Sequence, residues 1–262
     1  MKWTLTSKDI FILMKVLGAK ALIGISNPFL YNNESEVEKE WEHTFKKLHK
    51  IGLVDLINEE IKFEDTFIGA MWVIARTNLI TEIIVDNNDK SLFYFSDQYV
   101  VECHRLEDDQ YDIYLHGSPD QTWNHTIFPK MLMGVENLPV RFSEHLLIDP
   151  EDYKKYCLNS KIHNIEQIAL NNKLENSSLL VNQFNRSVQR KIHNNRLMMF
   201  YQMNNKWNVE GIHILTSPAY NWTLRMIHQN SREWLEARQG TGTDILKEIM
   251  DIIKRVKQEQ AV

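Results

Sequence analysis

Ten histidines and two cysteines have the widest chemical repertoire in this chain, as metal ligands, general bases or nucleophiles. Their spacing argues against each use. There is no HExxH, no CxxC, no Cys/His cluster and no Asp-rich calcium loop, and His213 and His228 fall in strand-like runs without a carboxylate at ligand spacing. Cys103 and His104 are adjacent, and neighbours on a strand point to opposite faces, so they do not form a nucleophile–base pair. Gly240-Thr241-Gly242 lacks the lysine of a phosphate loop and reads as a strand exit leading into a helix cap. No GxSxG elbow or paired acid/base motif occurs. The expectation is a protein that is not an enzyme, with no catalytic residue, no cofactor and no metal site. Cys103 and Cys157 are far apart and fit free thiols of a reducing compartment, with a disulfide left open.

Binding chemistry is easier to find. From Val181 to Trp207 the chain contains Arg186, Arg190, Lys191, Arg196 and Lys206 and no acidic residue. Such a run is either a solvated face or a surface that steers an acidic partner. The runs Leu92-Phe93-Tyr94-Phe95 and Leu197-Met198-Met199-Phe200-Tyr201 are apolar on both alternating faces. A sheet carrying them is covered on both sides within the chain, or leaves one side to a partner. The partner-binding candidates are therefore Phe93, Phe95, Arg186, Arg190, Lys191 and Arg196.

Composition narrows the partner. A formal net charge of −5 removes the usual attraction of a whole protein to nucleic acid or anionic lipid. No run approaches the ~20 apolar residues of a spanning helix, and the opening segment is broken by Lys8, Asp9 and Lys15, unlike an export signal. The expectation is a cytoplasmic protein without membrane insertion. Asn-x-Ser/Thr triplets such as Asn176-Ser177-Ser178 then reflect composition only.

The positioning elements follow from caps and periods. Thr6-Ser7-Lys8-Asp9 is a capping box ahead of Ile10, Leu13, Met14 and Leu17, and Gly18 stops that helix. A second helix is predicted over 34–50 and ended by Gly52, and a third is capped by Asp65. Period-two runs at 79–86, 91–96, 99–106 and 111–117 predict an antiparallel meander, with Asp86-Asn87-Asn88-Asp89 at its first turn. Ser118-Pro119-Asp120-Gln121 starts a helix that Pro129 must kink or end, and 134–147 is a connector able to add a strand. Asp149-Pro150 opens a short helix, followed by helices over 161–172 and 175–191, the latter with Leu180, Phe184, Val188 and Ile192 as its stripe. Strands near 196–203, 208–216, 221–229 and 232–238 come next. Thr241-Gly242-Thr243-Asp244 then caps a helix whose apolar residues are Ile245, Leu246, Ile249, Met250, Ile253 and Val256.

The order is three helices, four strands and one helix, written twice, so residues 1–138 and 139–262 are expected to be two halves of one duplicated architecture. The predicted class is α+β, with a mainly antiparallel central sheet flanked by helices about a quasi-two-fold axis. Two separate lobes are the alternative.

The segment LTSKDIFILMKVLGA, the amphipathic helix ending in LHKIGLV, and less specifically NKWNVEGIHILTSPAYNWTLRMIH with the closing helix, resemble the EspG family of ESX (type VII) secretion chaperones. That resemblance implies a quasi-two-fold α/β fold and a cytosolic chaperone that binds the helical tip of its substrates. The Asn- and Lys-rich composition departs from the mycobacterial pattern and points to a Firmicute type, with WXG- or LXG-like helical substrates or toxins as partners. A rival reading takes two helices and the hairpin-like stretch 53–63 as a winged-helix nucleic-acid-binding regulator. Against it, the helix that would enter the groove begins with Glu34, Glu36, Glu38 and Glu40.

Overall fold

The computed structural model describes residues 1–19, 22–30, 34–86, 88–172 and 177–260. Asn87, in the first meander turn, and residues 175–176, the expected start of a helix, lie outside the described residues. The chain divides into two compact units: Met1–Glu82 with Lys90–His125, and Ile83–Asp89 with Thr126–Val262.

The first unit opens with strand β1 (Lys2–Thr6), helix α1 (Ser7–Val16) and helix α2 (Glu34–Lys50). Thr6 and Asp9 form the capping box of α1, and Gly18 beyond its end takes the left-handed conformation. Asp9 then does more than cap: it accepts from Thr44 Oγ1 at 3.0 Å and pairs with Lys47, so one buried carboxylate ties α1 to α2. A two-stranded hairpin follows, β2 (Val54–Ile57) with β3 (Glu60–Phe63), and then α3 (Asp65–Arg76). The cap of α3 is Glu64 rather than the expected Asp65. Glu64 has extended backbone, and its carboxylate accepts from the Thr66 and Phe67 amides at 3.1 and 2.6 Å, placing Asp65 inside the first turn.

The meander is β4 (Leu79–Val85), β5 (Asp89–Phe95), β6 (Val100–Arg105) and β7 (Gln110–Leu115). After it come α4 (Pro119–Thr122), a π-helical turn (Trp123–Ile127) and α5 (Phe128–Met131). Pro129 falls in the first turn of α5, where its missing N–H costs nothing, and the irregularity sits in the π turn before it.

The second unit contains β8 (His145–Ile148), α6 (Pro150–Asn159), α7 (Ile165–Asn172), α8 (Ser177–Gln189), β9 (His193–Met203), β10 (Lys206–Thr216), β11 (Asn221–Gln229), β12 (Arg232–Gln239) and α9 (Gly242–Gln260). Ile192, expected on the stripe of α8, lies past the end of that helix and is exposed. Leu180, Phe184 and Val188 are buried as expected.

Among the described residues, ten strands hydrogen-bond in the order β1-β7-β6-β5-β4-β9-β10-β11-β12-β8, and every pairing with a resolved register is antiparallel. The class is α+β, with a large antiparallel sheet flanked by helices. In each unit the first strand pairs with the last strand of the meander, β1 with β7 and β8 with β12. Both are short strands preceding a helix, and their partners lie far along the chain, which hides them from local periodicity.

Candidate functional site

Cross-strand register sorts the side chains of each sheet into two faces. In the first unit Trp3, Leu5, Leu92, Tyr94, Val101, Cys103 and Ile113 share one face and are buried, with Trp3 meeting Phe67 of α3 edge-on at 5.6 Å. The Tyr94 hydroxyl donates to the Ile23 carbonyl at 3.0 Å. The opposite face carries a connected set of polar groups. Ser91 Oγ lies 2.7 Å from Glu102 Oε1 and 3.1 Å from His104 Nδ1, while His116 Nε2 lies 2.8 Å from Glu102 Oε2. Asp112 accepts from Thr4 at 2.7 Å and pairs with Lys2 at 2.8 Å. A serine, a glutamate and two histidines thus converge, although no linear motif announces them. At 1% exposure Ser91 Oγ offers a substrate no approach, and its proton is held by Glu102.

Phe93 and Phe95 stand on this same face and are both buried. Phe93 packs 6.1 Å from the His116 ring, and Phe95 stacks on Trp123 at 5.8 Å. Neither ring reaches the surface. The four cations are likewise not gathered into one patch. Arg186 and Arg190 are exposed one helical turn apart, joined through the Arg190 N–H to the Arg186 carbonyl at 3.0 Å. Lys191 Nζ instead donates to the Cys157 carbonyl at 2.8 Å, and Arg196 is half-buried on β9 beside His213. Burial, followed by the positive charge of Arg196, holds the His213 imidazole down to about 4. Cys103 and Cys157 are free thiols whose ionisation burial pushes up, so neither is a ready nucleophile. Among the described residues no group of three His, Cys, Asp or Glu side chains could hold a metal.

The second unit has a different surface. One face of its sheet, with Leu146, Ile148, Leu215, Trp222, Leu224, Leu235 and Ala237, is buried in a cluster with Tyr153, Tyr156, Leu180, Phe184 and Val188 of α6 and α8. Trp222 anchors that cluster, edge-on to Phe184 at 5.0 Å, with its indole N–H donated to Ser187 Oγ at 2.9 Å. The reverse face lies under α9, where Tyr201 donates to Glu259 at 2.5 Å and Arg255 pairs with Glu210 at 2.7 Å. Ile245, Ile249, Ile253 and Val256 of α9 are buried, whereas Leu246 and Met250, expected on the same stripe, are exposed.

The first of these faces is not covered to its end. Toward the β9–β10 turn, Phe200 opposes Val209 and Met198 opposes Gly211, and Met226 continues the line of Trp222 and Leu224 on β11. Val209 is 52% exposed and Met226 53% exposed, with Met198 and Phe200 half-buried on β9 beside Val209. Gly211 is required here: a β-carbon would stand 2.7 Å from the Leu197 carbonyl oxygen and would also strike the Met198 sulfur that lies across it. The result is an open apolar floor at one end of the sheet. Alternation of Trp222, Leu224 and Met226 with polar neighbours gave all three the same inward signal; only the limited reach of the covering helices separates Met226 from the rest.

No family model and no curated protein matches the chain. It is similar in fold to the solved structure of the Mycobacterium tuberculosis type VII secretion system chaperone EspG5 in complex with a PE25–PPE41 dimer, with a TM-score of 0.59 and 10% sequence identity over 93% of this chain and 92% of that one. No helix among the described residues is long and apolar enough to cross a membrane.

Proposed function

We propose that this chain is a cytoplasmic chaperone or adaptor of a type VII secretion system, Firmicute in type, that binds a helical substrate or toxin protein of the WXG or LXG kind. It keeps that protein soluble and competent for export. The observation that carries the reading is the likeness in fold to EspG5 across nearly the whole of both chains, EspG5 itself being held in complex with a PE25–PPE41 dimer. The equivalent strand order in the two units supports regarding 1–138 and 139–262 as two copies of one block.

The mechanism is coverage of apolar surface. Met198, Phe200, Val209 and Met226 give a floor on which an amphipathic helix could lay its apolar stripe. Water released from both surfaces drives the contact. Arg186 on α8 and Arg190 just past its end, both exposed, would act at longer range by steering an acidic partner, an effect on rate more than on affinity.

The test is affinity isolation of the tagged full chain from its source cells, with mass spectrometry of what comes with it. A helical protein in fixed stoichiometry is expected, lost from the Val209→Asp/Met226→Asp double variant while the thermal melt of the chaperone is unchanged. Recovery of a nucleotide, nucleic acid or metal instead of a protein would overturn the reading.

A further inference from the structure

The β2–β3 hairpin is separate from the ten-stranded sheet, and among the described residues its two strands pair only with each other. Asn58 and Glu59, both left-handed with φ of 53° and 67°, form its two-residue turn. In a hairpin of this kind the pair flanking the turn, Ile57 with Glu60, exchanges both backbone hydrogen bonds, and so does Asp55 with Lys62. The N–H and C=O of Ile61 between them are therefore directed at the outer edge of β3. Leu56 and Ile61 share one face of the ribbon and are 57% and 45% exposed, while Glu60 and Lys62 are exposed on the other face. An isolated two-stranded ribbon is marginal in water, and an open edge is a template for another strand.

We propose that β3 is a homodimerisation edge, on which a second copy of this chain pairs its own β3 antiparallel about a two-fold axis through Ile61. The pattern of backbone groups permits this register: Ile61 meets Ile61 of the second copy as a hydrogen-bonded pair. Charge then selects it. Centring on Ile61 sets each Glu60 opposite the Lys62 of the other copy, twice over, as a two-fold contact demands. Centring on Lys62 sets lysine against lysine, and centring on Glu60 sets glutamate against glutamate. On the opposite face, Leu56 and Ile61 from both copies line up as one apolar strip across four strands. So short a contact falls below the roughly 1,000 Å² of a robust interface, so the dimer is weak and concentration-dependent.

The full chain is examined by sedimentation equilibrium over a concentration series, beside Glu60→Lys, Lys62→Glu and the double variant Glu60→Lys/Lys62→Glu. The wild type is expected to show a monomer–dimer equilibrium, and each single reversal should weaken self-association roughly tenfold by turning two attractive pairs repulsive. The double variant restores complementarity and should dimerise as the wild type does. An equimolar mixture of the two single variants should form a heterodimer. Unchanged far-UV circular dichroism and thermal melts identify effects of the edge alone, since Glu60 and Lys62 are both exposed. A wild type monomeric throughout, a dimer indifferent to the single reversals, or no recovery in the mixture would each overturn the proposal.

Discussion

The two units share a strand order but treat the two sides of their sheets differently. In the first, one side is apolar and buried, and on the other Phe93 and Phe95 are buried while the polar groups bond one another: Glu102 joins Ser91 to His116, and Asp112 joins Thr4 to Lys2. In the second, both sides lie under helices, yet the apolar side extends past them to Val209 and Met226. A face whose rings are already buried and whose polar groups satisfy one another has little to gain from a partner. An apolar face left half in water gains from any surface that covers it. The same arrangement of strands therefore yields a unit with both sheet faces occupied and one with an unfinished apolar surface, the surface on which the proposed binding rests.

The comparison breaks most readily at Trp222. Its ring is fully buried, lies edge-on to Phe184 and carries the hydrogen bond to Ser187, so Trp222→Ala removes packing and leaves a cavity. We expect a loss of about 4 kcal/mol in denaturant unfolding, with hydrogen-exchange protection falling first in residues 126–262. A uniform loss over the whole chain would show that the two units are energetically one.

Acid separates the units next. His213 of the second unit is held down to about 4 in the folded state against 6.5 ordinarily, so the unfolded chain takes up the proton first. The contribution is present above about pH 6.5 and is lost as pH falls toward 4, amounting to about 3 kcal/mol. In the first unit burial opposes ionisation of Asp9, but Lys47 and the Thr6 backbone and hydroxyl outweigh it and hold the carboxyl below its ordinary value. Its contribution is lost only at pH below its unfolded value of 3.8. Stability measured from pH 7 to 4 should therefore fall in the second unit before the first, and His213→Gln should flatten that slope.

How much of this was legible depended on whether the signal was local. Caps are local, and Thr6, Ser118 and Asp149 act where the sequence put them. The eight meander strands were legible from alternation, within a few residues at the ends. What escaped depends on neighbours distant in the chain. Ser91, Glu102 and His116 meet only once β5, β6 and β7 pair in register, and Phe93 and Phe95 share their buried face although their sequence suits an exposed one equally well. The open floor escaped for a related reason: a helix covers a definite length of sheet, and periodicity carries no information about where that cover ends.

The polar face of the first unit sets a smaller effect. Glu102→Leu removes the acceptor shared by Ser91 and His116 and leaves the buried Ser91 hydroxyl and the half-buried His116 ring without that partner. A loss of about 2 kcal/mol is expected in urea unfolding. Glu102→Gln, which keeps an oxygen for Ser91, should lose less. Equal losses would show that charge rather than hydrogen bonding holds the face together.

The smallest effect on folding belongs to the surface proposed to matter most for binding. Val209 already stands half in water opposite Phe200, so Val209→Asp forfeits little burial and leaves no charge without solvent. Its unfolding free energy should stay within about 0.5 kcal/mol of the parent. If the floor were merely an under-packed edge of the core, Val209→Leu would stabilise the chain by enlarging the contact with Phe200, and Val209→Asp would weaken it well beyond that margin. If the floor is a docking surface, both variants fold like the parent. Only the aspartate then loses the helical partner, because a carboxylate must shed its water before an apolar helix face can close over it.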